Sequence, residues 1–277
     1  MALTKKTYAN NPTRAGLARM VAGIPYSTAG GAKTTLTLLK PWEEAARYPL
    51  VVFVQGSGWT TPDLGYEIPQ LAHLAQQGYV VATVCHRSAV EGSPYPAFLQ
   101  DVKTAIRFLR AHAEEYCIDP EHVCIYGTSS GGNTAMMVGA TGDDPKFKTG
   151  EYPDVSDAVN CVAAIFGPAD LTFLLNHKRR LDDVFVGLIG DNDPETVLRG
   201  MSPLHYVSES APFPPCLIAH GKADKVVPYV QATTMAGKLA ACGKTVRLLT
   251  VTGGPHEDTF WSWPLIEDIY AFIKEYI

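Results

Sequence analysis

The sequence predicts an α/β fold, a mainly parallel central sheet with helices on both faces, and three observations carry that prediction. Short, continuous apolar runs recur along the chain, as a strand covered on both faces requires. Segments with helical spacing alternate with those runs. One run, Val123 to Tyr126, opens into Gly127-x-Ser129-x-Gly131 and then into a helix-like segment, so the chain reverses sharply at a single serine.

Taken in order, residues 1–33 are polar and rich in Gly and Ala, show no period, and read as an N-terminal arm ahead of one domain, 34–277. Thr34-Thr-Leu-Thr-Leu-Leu-Lys-Pro41 alternates like a half-buried strand stopped by proline. Leu50-Val-Val-Phe-Val54 is a fully buried strand by the same logic, and it ends in the flexible loop Gln55-Gly56-Ser57-Gly58-Trp59. Ile68 to Gln77 fits a helix ended by Gly78. Tyr79-Val-Val-Ala-Thr-Val84 is another strand, and Phe98, Val102, Ala105, Ile106 and Leu109 keep helical spacing.

Beyond the serine turn and its helix, Asn160-Cys-Val-Ala-Ala-Ile-Phe166 resumes the sheet. A long polar segment, about 167–215, then interrupts the alternation and reads as a small cap, since an insertion of that length is more often functional than filler. Cys216 to His220, a helix near Gln231 to Ala241, Thr245 to Val251 and a C-terminal helix from about Trp263 complete the series. In such a sheet the ligand crevice lies at the carboxyl ends of the strands.

Composition narrows the function. At 277 residues, 46% hydrophobic, the chain can bury one large core without a second domain. A formal net charge of −5 without a basic run argues against nucleic acid and anionic membrane surfaces as partners. No apolar run approaches the roughly 18 residues of a membrane span, and the N-terminus lacks an apolar leader core; the expectation is a soluble, cytoplasmic protein facing small molecules. Six cysteines without a C-x-x-C pair or Cys/His metal spacing read as reduced core thiols, and no metal or cofactor is expected.

The chemistry centres on Ser129. Glycines two residues either side are needed where side chains would collide with the neighbouring strand and helix, and the helix N-terminus that follows offers partly positive N–H groups to a developing oxyanion. An alcohol is a poor nucleophile at neutral pH, so Ser129 needs an imidazole to take its proton and an acid to orient the imidazole. Of the eight histidines, His256 lies in the glycine-rich loop after the last strand; His112 and His122 read as solvated, and His220 as packing at a strand terminus. Asp224 follows the penultimate strand and is preferred as the acid over Asp258 on the chain order Ser, acid, His. The loops after successive parallel strands gather at one edge, so Gln55 to Trp59, Ser129, Asp224 and His256 can meet.

Gly127-Thr-Ser-Ser-Gly-Gly132, Gln55-Gly-Ser-Gly-Trp59, the segment Asp101-Val-Lys-Thr-Ala-Ile-Arg-Phe-Leu-Arg110 running to Ile118-Asp-Pro, and His220-Gly-Lys-Ala-Asp224 with His256 together resemble α/β-hydrolase esterases. The resemblance spans roughly 34–275 and points to the bacterial branch related to feruloyl, acetyl-xylan and hormone-sensitive-lipase-like esterases. It implies an α/β-hydrolase fold and a serine esterase working through an acyl-enzyme, with Ser129 as nucleophile, Asp224 as acid and His256 as base. It further implies oxyanion donors at the backbone N–H groups of Ser130 and of Ser57 or Gly58, although the family commonly has His-Gly-Gly-Gly where this chain has Gln55-Gly56-Ser57-Gly58.

The expected substrate is a short-acyl ester of a carbohydrate, acetyl before feruloyl, because the insertion carries charges such as Lys178, Arg179, Arg180, Asp182 and Asp183 instead of an apolar lid face. Gln55 and the indoles of Trp59 and Trp261, with Trp263 nearby, are placed to line the substrate pocket, or else belong to the core. Two other readings share the motifs, a serine peptidase of prolyl-oligopeptidase type and a non-catalytic binding protein of the same fold.

Overall fold

The structure, a computed structural model, describes residues 3–29, 31, 34–43, 47–176 and 182–277. Eight strands form one sheet in the order β1-β2-β4-β3-β5-β6-β7-β8. They are β1 (Ala18–Pro25), β2 (Thr35–Pro41), β3 (Tyr48–Val54), β4 (Val80–Val84), β5 (Ile118–Thr128), β6 (Cys161–Ile165), β7 (Cys216–Gly221) and β8 (Val246–Val251). β1 and β2 pair antiparallel, as do β2 and β4, and every pairing from β4 to β8 is parallel. The Val- and Ile-rich runs are the central strands: Leu50 to Val54 of β3 are 0–1% exposed, as expected of strands covered on both faces.

The helices are α1 (Ile68–Gln76), α2 (Ala97–Ala111), α3 (Ala113–Tyr116), α4 (Ser130–Ala140), α5 (Phe173–Asn176), α6 (Asp183–Ile189), α7 (Pro194–Gly200), α8 (Val230–Ala241) and α9 (Trp263–Tyr276). α2, α4 and α8 pack on one face of the sheet, and α1 and α9 on the other, giving two apolar layers. Side chains from α6 and α7 join the first layer, through Leu188, Ile189, Val197 and Leu198. Among the described residues no helix is long and apolar enough to cross a membrane. All six cysteines are free thiols.

Two elements differ from the sequence reading. Residues 18–25, within the stretch read as an arm, form β1; it is an edge strand whose side chains are mostly exposed, with Ile24 alone buried, so no hydrophobic period marks it. β2 is almost wholly buried instead of half-buried, down to Thr37 and Lys40, because β1 covers its outer edge and both faces are packed.

What matters for chemistry is the register. Val54 stands opposite Gly127, Thr128 opposite Ile165, Ile165 opposite Ala219, and Gly221 opposite Val251, so β3, β5, β6, β7 and β8 all release their loops at one edge. That edge collects the polar residues singled out by sequence.

Candidate active site

Ser129 occupies the turn between β5 and α4 with φ 51° and ψ −120°, a conformation that costs a non-glycine residue about 1–3 kcal/mol. The surroundings over-determine it. Its N–H donates to the Ile165 carbonyl at 2.8 Å. A Cβ on Gly127 would lie 2.2 Å from the Gly131 carbonyl oxygen, and one on Gly131 would lie 1.9 Å from the Val54 carbonyl oxygen. The two flanking glycines therefore let β5, β3 and α4 close tightly enough to lift the serine hydroxyl out of the sheet.

The three side chains named from sequence come together. Ser129 Oγ lies 3.0 Å from His256 Nε2, and His256 Nδ1 lies 2.7 Å from Asp224 Oδ2. With Nδ1–H donating to the carboxylate, Nε2 presents its lone pair to the serine O–H, the tautomer that proton abstraction requires. Phe166 packs on the imidazole with ring centroids 4.6 Å apart and limits its rotation. Asp224 is buried at the start of the turn after β7, where Oδ1 accepts the N–H groups of Val226 and Val227 at 2.8 and 2.9 Å. Burial alone would push its carboxyl up. Hydrogen bonds from His220, His256 and the Val227 N–H overcome that and hold it well below the usual carboxylate range.

His220 is the residue that sequence reasoning missed. It is fully buried, and its Nε2 lies 3.2 Å from Asp224 Oδ2 and 2.9 Å from the Val227 carbonyl, so one N–H donates to both. The signal was present in His220-Gly-Lys-Ala-Asp224, a histidine four residues ahead of the acid across a tight turn. Asp258 makes no contact with the imidazole. It sits in a short 3₁₀ turn, Asp258–Phe260, with φ 50° and its side chain exposed.

The loop after β3 is tied to the serine turn by backbone groups. The Gly56 N–H donates to Thr128 Oγ1 at 2.9 Å and the Ser57 N–H donates to Ser130 Oγ at 3.1 Å. The Ser57 hydroxyl in turn donates to the Thr60 carbonyl at 2.7 Å. Of the N–H groups expected as oxyanion donors, that of Ser57 is thus already engaged. Those of Gly58 and Ser130 have no acceptor among the described residues, and both residues line the cleft. Gln55 braces this loop instead of lining the cleft, its Oε1 accepting the Asp63 N–H at 2.6 Å.

The cleft beside Ser129 has a volume of about 340 Å³. Its walls are largely apolar, with Leu171, Phe173, Leu174, Val184 and Phe185 from the insertion. Where the sequence reading expected a polar cap, the described part of the insertion turns mainly apolar side chains to the cleft. Of the charges that prompted that reading, Asp182 lines the cleft and accepts the Phe185 N–H at 3.1 Å as the cap of α6, and Asp183 is exposed. Lys178, Arg179 and Arg180 lie outside the described residues. Trp59 borders the cleft but is 5% exposed and packed between Phe98 and Phe185, which leaves no open face for a sugar ring. Trp261 lies on Phe166 and Phe260 and borders a different cavity, and Trp263 is exposed against His73.

Comparison with known proteins bears on the family and the fold. The BD-FAE family model matches residues 36–239. Esterase LipC of Mycobacterium tuberculosis is 33% identical over 218 residues, 75% of this chain and 52% of its own length. The chain spans about half the length of the curated relatives it matches. Among solved structures, a truncated carbohydrate esterase from gut microbiota superposes with a TM-score of 0.84 at 27% identity, covering 96% of this chain and 99% of that one. A bifunctional GH43-CE protein of Bacteroides eggerthii gives a TM-score of 0.83 at 27% identity over 92% of this chain and 35% of its own. With an eight-stranded sheet of this topology and a family match over most of its length, the chain belongs to the BD-FAE family of α/β-hydrolase esterases.

Proposed function

We propose that the protein is a serine carboxylic-ester hydrolase acting through an acyl-enzyme, and the observation that carries the proposal is the contact series from Ser129 through His256 to Asp224. Ser129 Oγ attacks the ester carbonyl carbon as its proton passes to His256 Nε2. The carbonyl oxygen takes up the negative charge and is met by the N–H groups of Gly58 and Ser130. Collapse breaks the bond to the alcohol oxygen, which leaves with the proton from His256. Water then repeats the sequence on the acyl-enzyme, releasing the acid and restoring Ser129.

For the substrate we infer a short acyl ester of a carbohydrate, with acetyl and feruloyl as the acyl groups. Two observations support it: the likeness to a carbohydrate esterase along nearly its whole chain, and an apolar cleft beside the nucleophile with room for an aromatic acid. The test is kcat/KM on acetylated xylo-oligosaccharides, methyl ferulate and p-nitrophenyl esters of rising chain length, for the native chain and Ser129→Ala. The expected result is turnover of the sugar and ferulate esters, lost in Ser129→Ala while its circular dichroism is unchanged. A maximum at long acyl chains without turnover of sugar esters would overturn the substrate assignment, and an active Ser129→Ala would overturn the mechanism.

A further inference from the structure

A second cavity, of about 320 Å³, shares no lining residue with the cleft and is bordered by Asp258 and Trp261, just after His256 in sequence. Both loops that form the candidate site run on into its walls. The one carrying Gly58 ends at Tyr66 and Glu67, and the one carrying His256 continues to Trp261. Phe166 touches both His256 and Trp261, with ring centroids 4.6 and 5.8 Å away, so the cavity begins one ring beyond the imidazole.

Glu67 is the feature that the fold does not explain. It stands at the N-cap of α1 in a left-handed conformation, φ 57°, yet its side chain makes no capping bond. Instead, among the described residues, Oε2 takes only a long hydrogen bond of 3.4 Å from the Tyr126 hydroxyl, and Oε1 is buried without a hydrogen-bond partner. A buried carboxyl oxygen left unpaired is destabilising, and the left-handed backbone adds to that. The first of these is relieved if a ligand hydrogen-bonds to Oε1.

We propose that this cavity is the subsite of the departing alcohol and takes a polyhydroxylated ring, with Glu67 hydrogen-bonding its hydroxyls and Trp261 offering an apolar wall. The assignment rests on the esterase reading above, in which the leaving oxygen receives its proton from His256 and must depart along the imidazole. It also follows from the chemistry of the walls, which Tyr66, Gln70, Tyr126, Asp258 and Tyr270 share with Glu67 and which no lysine or arginine among the described residues enters. Burial, and then the charge of Glu257, push the Glu67 carboxyl up to about 8. Near neutral pH it therefore keeps its proton and offers one donor and one acceptor, which suits a hydroxyl better than an ammonium ion.

The experiment compares Glu67→Leu, Glu67→Gln and Tyr126→Phe with the native chain, each checked for native thermal unfolding. Two quantities are measured: the ratio of kcat/KM on acetylated xylobiose to kcat/KM on p-nitrophenyl acetate, and the binding of free xylobiose by tryptophan fluorescence. The expected result is a ratio lowered at least tenfold in Glu67→Leu, lowered less in Tyr126→Phe, and kept within about threefold in Glu67→Gln, whose amide also has a donor and an acceptor. Xylobiose binding should weaken in the same order. Turnover of both esters by the native chain with an unchanged ratio in Glu67→Leu would overturn the subsite and leave the esterase reading standing. A native chain inactive on every ester would overturn the esterase reading, and the assignment of the cavity to a departing alcohol with it. Binding of tetramethylammonium in place of xylobiose, lost in Glu67→Gln, would make the cavity a cation site and also overturn the proposal.

Discussion

Ser129 holds a backbone conformation that few side chains adopt, and the residues that make it tolerable, Gly127 and Gly131, were legible in the sequence as its flanking glycines. His256 and Asp224 were legible by their place after the last two strands. His220 was legible only as packing at a strand end, because its four-residue spacing from Asp224 becomes a contact only through the tight turn that the fold supplies. The acid can be tested at this scale. Asp224→Asn places an amide N–H against His256 Nδ1, favours the wrong tautomer and leaves Nε2 unable to accept the serine proton; activity should fall about 10⁴-fold, as for the orienting acid of a serine protease. Asp258→Asn should cost less than about threefold, since that carboxylate is exposed and away from the imidazole. Steady-state kinetics on p-nitrophenyl acetate decide it, and comparable losses in the two variants would contradict the assignment of Asp224.

At the scale of elements, the buried parallel strands were legible because their apolar runs are continuous, and the helices because their spacing repeats. β1 was not, since an exposed edge strand has no apolar face to display. Nor was the interior of α2, where Lys103 and Arg107 look like solvated positions but are fully buried, each 2.7 Å from Asp157. The loop after β3 shows the same limit. Its backbone donors could be listed from sequence, but only the fold reveals that Ser130 Oγ occupies the Ser57 N–H and leaves that of Gly58. Gly58 has φ +62°, so Gly58→Pro both deletes the N–H and demands a φ near −65°. The expected outcome is a kcat lowered by at least about 10²- to 10³-fold, the cost of losing one oxyanion donor, whereas Gln55→Ala should lose only the brace to Asp63 and stay within about tenfold. A Gly58→Pro protein with near-native kcat would show that the donor lies elsewhere.

For the whole molecule, the topology does what no single motif can: the parallel strands β3, β5, β7 and β8 deliver the loop from Gln55 to Trp59, Ser129, Asp224 and His256 to one edge from far apart in sequence. That gathering followed from the predicted order of strands. The character of the insertion did not, because its composition counts charges while its fold turns Phe173, Leu174, Val184 and Phe185 toward the nucleophile. The central claim is that Ser129 is a nucleophile activated by His256. Labelling with a fluorophosphonate probe, followed by peptide mapping, tests it most directly. The account predicts one adduct, on Ser129, that disappears in Ser129→Ala, persists in Ser130→Ala and forms at least 10²-fold more slowly when His256 is changed to Ala. An adduct on Ser130, or ester hydrolysis by a chain whose Ser129 stays unlabelled, would contradict it.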